Sequence, residues 1–486
     1  MMAFTSRLSG AMQPIPGHTP SCATLSMAMI RSRRKHDSVD SVAAVADAAV
    51  TRGGGGGRDQ SVIILGGGIA GLATARYLLH YARRNDGGGI SITLIDKNVD
   101  AMTMMMPAND GTPAPSYEER VRRSRPHMNI PSRRNGNYLC PSLTVPWTAR
   151  PLWKDVIMPA LKSALGGGSR PPISFDMQSL IADRNMWSFG AHFLLQKFFL
   201  GRAEHQSNKS ILEYSMKCLD DPTDELVRSI EYGRWAVGTR NLDGSVHDCD
   251  SSGDIDLFCG GLLDGISAEY GDMLDVIAGE EVTMLRVDDG VLRGVTTIDQ
   301  HGDTRTREAD KIVVALGSNS ASLCRGIGIP CPVYPVKGHL VTVSSEFDHR
   351  HNLTLDGGIG YAAPMACVDS RGRRLYRLSG FVDFTSTRDA DNDRIEALVN
   401  ATRSHLPDLE VIDASACHRP ISADDRALIG PASIRLPNLY LATGFGSRGW
   451  TIGLGGGKLL ASQMLGMPCD IDPTPYLPSR FGLRYK

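Results

Sequence analysis

One stretch confines this chain to a narrow set of folds. Ser61-Val-Ile-Ile-Leu65 is an apolar run of strand length, it enters Gly66-x-Gly68-x-x-Gly71 without a break, and a helical apolar period follows as far as Leu79. Gly66 permits a tight bend, and Gly68 leaves the backbone bare so that N–H groups of the turn, those of Ile69 and Ala70 included, can approach a pyrophosphate. Gly71 lets the helix close on the strand, and the helix N-terminus favours an anion. A second strand, Ile90-Ser-Ile-Thr-Leu-Ile95, ends in Asp96 with Lys97 beside it. That carboxylate lies about 25 residues beyond the last glycine, where it can accept hydrogen bonds from both hydroxyls of an adenosine ribose. The glycine pattern alone is a weak signal, since a structural turn can share it; its place between a strand and a helix gives it meaning.

The rest of the chain alternates between two patterns. Strand-like runs at Glu281–Val287, Gly294–Ile298 and Lys311–Ala315 lead into Gly317, a second strand-to-glycine turn, and Leu439–Thr443 leads into the glycine-rich Gly444–Trp450, with another helix expected from Gly455. Between them, Val333–Val343, Gly360–Pro364 and Arg374–Val382 alternate apolar and polar residues, as strands of an antiparallel sheet with one lined face do. The fold class is therefore α/β with an α+β insert: a discontinuous Rossmann-like domain over 60–150, 250–332 and 415–486, with an antiparallel-sheet domain inserted over 151–249 and 333–414. Leu152–Leu226 reads as helical, and Trp187–Leu200, apolar almost all round, is expected to be buried. Ser132, Asn135 and Gly136 stand in a loop-like stretch that could face a ligand.

Composition narrows the function classes. A formal net charge of -1 gives no general reason to expect nucleic acid or an anionic membrane. The 10 cysteines are scattered, without CxxC or paired histidine spacing, so they read as buried thiols and not as a zinc site or a disulfide framework. No apolar run is long enough to span a bilayer, which leaves only peripheral membrane contact open. Met1–Lys35 has no acidic residue and is rich in Ser, Thr, Ala, Met and basic residues, as an organellar transit peptide is, with a mitochondrion favoured over a plastid. The glycine run before Arg58 reads as a linker, so residues 1–59 are expected to be disordered and the folded part to begin near Gln60.

From about Gln60 to about Phe481 the chain resembles the FAD-dependent D-amino-acid oxidase superfamily, and within it the D-amino-acid dehydrogenase small-subunit group. The resemblance is carried by the Gly66–Gly71 turn with Asp96, the Ser132–Asn137 stretch, Ser252–Phe258 and Val333-Tyr-Pro-Val-Lys-Gly338. It continues through Arg419-Pro-Ile-Ser-Ala-Asp424 with Ile429-Gly-Pro431, and Pro437–Gly444 with Gly449-Trp-Thr451. It implies FAD, with Gly66–Gly71 at the pyrophosphate, Asp96 at the ribose, and Val282 beside the adenine. The N–H groups of a turn around Gly446, Gly449, Trp450 and Thr451 would then lie where negative charge develops on the flavin. The inserted sheet becomes the substrate domain.

The implied reaction is flavin-dependent oxidation of an amine next to a carboxylate, giving an imine that hydrolyses. An amino-acid substrate needs a cation for its carboxylate, and two arginines compete: Arg377 on the inserted sheet, with Tyr376 and Leu378 directed oppositely, and Arg448 in the glycine-rich turn. In the similar sarcosine oxidases a lysine stands at the Arg377 position. The dehydrogenase group usually reads Gly-His-x-x-Gly-Trp around Arg448, whereas Gly446-Ser-Arg-Gly449 is similar to the oxidase domain of a bacterial tRNA-modifying enzyme. Either arginine could instead form a structural ion pair. Tyr361 and Tyr334 are further candidates, and Cys417 aligns with the cysteine that tethers flavin in sarcosine oxidases, although buried packing suits it better. The resemblance leaves three electron acceptors open, namely a quinone, an electron-transfer protein and O2. It also leaves sarcosine- or glycine-oxidase-like activity open, and a rival role as a respiratory-complex assembly factor. No metal site is expected.

Overall fold

β1 (Gln60–Leu65) and β2 (Ile90–Asp96) run parallel, Gln60 opposite Ile90 and Leu65 opposite Ile95, with α1 (Ile69–Arg84) as the crossover between them. The computed structural model describes residues 60–84, 89–98, 136–144, 171–176, 181–196 and 204–481. The expected leader, with its linker, and Ser132 and Asn135 lie outside the described residues. The chain continues through β3 (Tyr138–Leu139), β4 (Ile173–Phe175), α2 (Arg184–Leu195), α3 (Glu204–Leu219), α4 (Glu225–Ser229), β5 (Val237–Arg240), β6 (Val246–Ser252), α5 (Ile255–Tyr270) and β7 (Leu274–Ala278). Then come β8 (Glu280–Asp288), β9 (Val291–Asp299), β10 (Thr304–Glu308), β11 (Lys311–Val314), α6 (Ser320–Gly326), β12 (Val333–Ser345), β13 (Asn352–Thr354) and β14 (Gly360–Val368). β15 (Arg374–Phe384), α7 (Asn392–Thr402), β16 (Glu410–Ser422), β17 (Leu428–Ser433), β18 (Leu436–Thr443) and α8 (Gly449–Met464) follow.

The first sheet has the order β17-β18-β11-β1-β2-β7 and is parallel except for β17. Its strands are apolar at successive positions because both faces are covered. Val62, Ile64, Ile92, Leu94 and Val313 pack into one core with α1, α3, α5 and α8, while Ile63, Leu65, Ile95, Ile312 and Val314 pack into another with α6 and the small antiparallel sheet β10-β9-β8. Each fully buried Ile or Leu contributes about 1.5–3 kcal/mol, so this sandwiching fixes the sheet and with it the β1–α1 turn at its carboxyl edge.

The second sheet has the order β16-β12-β15-β14-β13-β5-β6-β3, with β4 added beside β15. Val341, Val343, Ala362, Tyr376 and Leu378 line one face and pack on Leu398 and Val399 of α7. Side chains alternate across a strand, so Arg377 and its register partners Thr342 and Ala363 belong to the other face.

Three expectations change. β3, β6 and the whole of β16 belong to the nine-stranded sheet, whereas α3 packs in the core of the parallel sheet, so the segments interleave more finely than the drawn boundaries. α2 is not buried all round. Phe189 and Phe193 are buried in a cluster with Tyr334 and Phe384, but Trp187 is 64% exposed and Leu195 52%. Finally, the helix expected from Gly455 begins at Gly449, so Gly449 and Gly453 lie within the helix and not ahead of it. Among the described residues no helix is long and apolar enough to cross a membrane, and no group of three or more His, Cys, Asp or Glu could hold a metal ion. The nine described cysteines are all free thiols; five are buried and Cys249 is exposed.

Candidate active site

The β1–α1 turn is shaped by what its glycines exclude. Gly66 has φ 107°, and a Cβ there would lie 2.5 Å from the carbonyl oxygen of Ala315, at the end of β11. A Cβ on Gly71 would lie only 1.9 Å from the oxygen of Gly66, so helix and strand touch through backbone alone. At Gly68 an added Cβ would meet nothing within 4 Å, so open space lies at the start of α1, where the first-turn N–H groups have no intrahelical acceptor. Asp96 closes the other side: Oδ2 accepts from Gly67 N (2.8 Å) and Oδ1 from Asn98 N and Nδ2 (2.8 Å each). Each carboxylate oxygen can take further donors, so a bound diol can still be recognised. Lys97 reaches outward to Glu281 (3.1 Å), the neighbour of Val282, which sits at an irregularity in the β8–β9 ladder.

A second helix start lies beside the first. A Cβ on Gly453 would come within 2.3 Å of Ile69, and one on Gly457 within 2.5 Å of Ala73, so glycines four residues apart let α8 lie directly on α1. This stripe was missed in the sequence, although its spacing of four was there to read. Gly317 (φ 55°) accepts from Thr443 Oγ1 (2.9 Å), tying the ends of β11 and β18, and Gly446 (φ 62°) turns the chain into α8. Of the residues expected here, Gly449 opens the helix and Thr451 Oγ1 accepts from Cys140 N (3.1 Å). The Trp450 ring is buried against Tyr232 and Phe258, so only its backbone is available to the turn.

Three arginines lie in the region. Arg448, 2% exposed, is the N-cap residue of α8 and binds Asp425 through its carboxylate (3.0 Å) and its carbonyl oxygen, and Leu143 O (3.3 Å). Asn208, with its amide oriented to satisfy its neighbours, accepts from Arg448 as well (3.0 Å). Arg377 is buried at 6% exposure on the face of β15 away from α7. Arg419, to which no separate role was assigned from sequence, is half-buried on the same face. It lies across Gly338, where a Cβ would be 2.3 Å from its guanidinium, and donates to Phe381 O (2.6 Å) and Gly380 O (3.3 Å). Phe381 adopts φ 59°, unusual for a side-chain-bearing residue, and so turns its carbonyl toward that guanidinium.

Around these cations the same face carries Tyr361, whose ring lies 5.1 Å from that of Tyr138, and Ser379, whose hydroxyl would be 2.9 Å from a Cβ on Gly136. The Tyr138 hydroxyl donates to Asp250 (2.8 Å), which anchors this wall. Tyr334 is fully buried with Phe189 and Phe384, and Cys417 is buried opposite Gly338. Three links join the sheet to the α8 turn: an Ile421–Phe445 bridge, Cys140 to Thr451, and Leu143 to Arg448. The β16–β17 turn is fixed by Asp424, which is wholly buried. Burial pushes its carboxyl up, but Arg480 and Arg426 more than offset this and hold it at about 2.

The residues present fit an extended dinucleotide. Open space at Gly68, a carboxylate with spare acceptor capacity at the end of β2, and two neighbouring helix N-termini together match a pyrophosphate, a ribose and a further group on which negative charge can develop.

Known proteins resemble this chain over part of its length. The model of the family described as DAO, FAD dependent oxidoreductase, matches residues 222–463. A D-amino acid dehydrogenase of Sinorhizobium medicae (strain WSM419) is 30% identical over 249 residues, which is 51% of this chain and 56% of that protein. An uncharacterized oxidoreductase of Halorhodospira halophila is 33% identical over 190 residues, covering 36% of this chain and 80% of the relative. The chain thus spans little more than half the length of the curated dehydrogenase it matches. Glycine oxidase from Geobacillus kaustophilus superposes with a TM-score of 0.50 at 16% identity, over 87% of this chain and 99% of that one, and so shares the fold.

Proposed function

The chain belongs to the DAO family of FAD-dependent oxidoreductases, and from that premise we propose that it binds FAD and oxidises the C–N bond of an amino acid or N-substituted amino acid, most like a D-amino-acid dehydrogenase. The observation that carries this reading is the pairing of the Gly66–Gly71 cradle and Asp96 with a sheet face bearing Arg377 and Arg419. FAD, when bound, supplies a two-electron acceptor for a hydride leaving the carbon next to nitrogen. The resulting imine hydrolyses to an oxo acid or an aldehyde and an amine.

The protein's own contribution is positioning. The N–H groups of Gly68, Ile69 and Ala70 hold the pyrophosphate, Asp96 the ribose, and the backbone at Gly446, Gly449 and Trp450 the far end of the cofactor. Arg419 and Arg377 take the substrate carboxylate, Arg419 with the N–H groups left over from its two carbonyl contacts. Arg448 does not, because its guanidinium is already bound on several sides. Tyr361 and Tyr138 form an aromatic wall that excludes water. The acceptor that reoxidises the protein is a quinone, an electron-transfer protein or O2.

Anaerobic photometry of the holoprotein against D-, L- and N-methyl amino acids tests the reading. Bleaching of bound flavin by at least one of them is expected, faster as pH rises through the substrate amine pKa because the free amine is the reactive form. A flavin that no member of the panel bleaches would count for a non-catalytic role, and a colourless protein that takes up no FAD would overturn the proposal.

A further inference from the structure

The buried ion pair of Arg448 and Asp425 has no part in the reaction just described. Asp425 adopts φ 58° at the β16–β17 turn and is 8% exposed, and its Oδ1 lies 3.3 Å from where a Cβ on Gly446 would stand. Arg448 precedes the first residue of α8. Both charges therefore lie within one turn of the helix start that neighbours Ile69, and the first turn of α8 carries no acidic residue. The adjacent Asp424 is already balanced by Arg426 and Arg480. Charges so well removed from water act over a distance at which surface charges are screened.

Resting on the FAD reading above, we propose that the Arg448–Asp425 pair is a positioning and tuning element that sets the field at the N-terminus of α8 and thereby the reduction potential of the bound flavin. Intact, the pair is nearly neutral and the helix N–H groups dominate. Remove the guanidinium and one positive charge is lost beside the helix start, so the arrival of negative charge is less favoured and the potential falls. Remove the carboxylate charge and the guanidinium favours it, so the potential rises. A purely structural clamp would instead move both variants in one direction, or not at all, since either change loosens the same joint.

The test is anaerobic dye-coupled potentiometry on holoprotein carrying Arg448→Met, Asp425→Asn, both changes, or Arg448→Lys. The reduced-to-oxidised ratio at fixed potential should fall at least tenfold in Arg448→Met and rise at least tenfold in Asp425→Asn, each about 30 mV for a two-electron couple. The double variant and Arg448→Lys should return to within a few-fold of the parent. Shifts of the same sign, or unchanged potentials with flavin bound, overturn the proposal and leave the FAD reading standing. Single variants that fail to fold, rescued only by the double variant, would assign the pair to structure and overturn it equally. A parent protein that binds no flavin sinks the FAD reading itself, a different and separately visible failure.

Discussion

At the β1–α1 turn the working groups are backbone N–H groups, whereas on the nine-stranded sheet they are side chains brought together from several strands. The first region is specified by absence: glycines stand where a Cβ would collide with Ala315 or with Gly66 itself. The second is specified by charge: Arg419 lies on two carbonyls, and Asp424 is gripped by two arginines. A backbone site should therefore fail when atoms are added, and a side-chain site when charges are removed.

The largest expected effect breaks the turn. Gly71→Ala places a methyl 1.9 Å from a backbone oxygen, which cannot swing away, so the variant should be insoluble or melt far below the parent. Gly68→Ala is its control, since nothing lies within 4 Å. The apoprotein should melt like the parent while FAD affinity, read by flavin fluorescence quenching, drops at least tenfold. Unchanged FAD binding in Gly68→Ala would mean that this space is not the pyrophosphate's.

Next in size is the frame of the side-chain region. Asp424→Asn removes the buried carboxylate charge that Arg426 and Arg480 share, and should cost about 3–5 kcal/mol in urea unfolding at neutral pH. Because the folded carboxyl is held at about 2, below the ordinary carboxylate range, its contribution is present above that range and lost as pH falls toward 2. A smaller and more local effect is expected at Arg419. Arg419→Lys keeps the charge but loses the planar fork, so kcat/KM for the best amino acid should fall roughly 10- to 100-fold with melting unchanged. An equal loss of FAD affinity in that variant would erase the distinction between the two regions.

What the sequence disclosed follows the same divide. The turn was legible because steric exclusion allows only glycine at Gly66 and Gly71 and fixes their spacing. β12, β14 and β15 were legible from alternation, which also put Arg377 opposite Tyr376 and Leu378. Arg419 was not legible as a site residue, because what makes room for it is Gly338, a neighbour only after β12 and β16 pair. The apolar run from Trp187 was misread because hydrophobicity cannot say which side of a helix meets a partner: Phe189 and Phe193 face inward, and Trp187 and Leu195 do not. The start of α8 was placed too late, at Gly455, because glycine serves turns and close helix contacts alike, and only α1 lying against Gly453 shows that this glycine already belongs to the helix.

The smallest effect sharpens the comparison through pH. His339 on β12 is fully buried, accepts from Asp391 N at Nε2 (3.1 Å), and has Nδ1 3.6 Å from Asp383, which is itself bound to Arg394 (2.6 Å). Burial pushes its imidazole down to about 4; Asp383 and Asp391 oppose this, while Lys337 and Arg394 add to it. The unfolded chain takes up this proton near its ordinary value of about 6.5 and the folded chain only near 4, so stability falls as pH drops between those values. The loss should be on the order of 3 kcal/mol across the window, and His339→Gln, which keeps an acceptor for Asp391, should remove that part of the slope. Subtracting the two urea-unfolding profiles cancels the carboxylates that both proteins share. Since His339 lies against Phe381, whose carbonyl holds Arg419, substrate KM should rise with acid in the parent before FAD affinity weakens. FAD release at the same pH as the rise in KM would show that the two regions loosen as one.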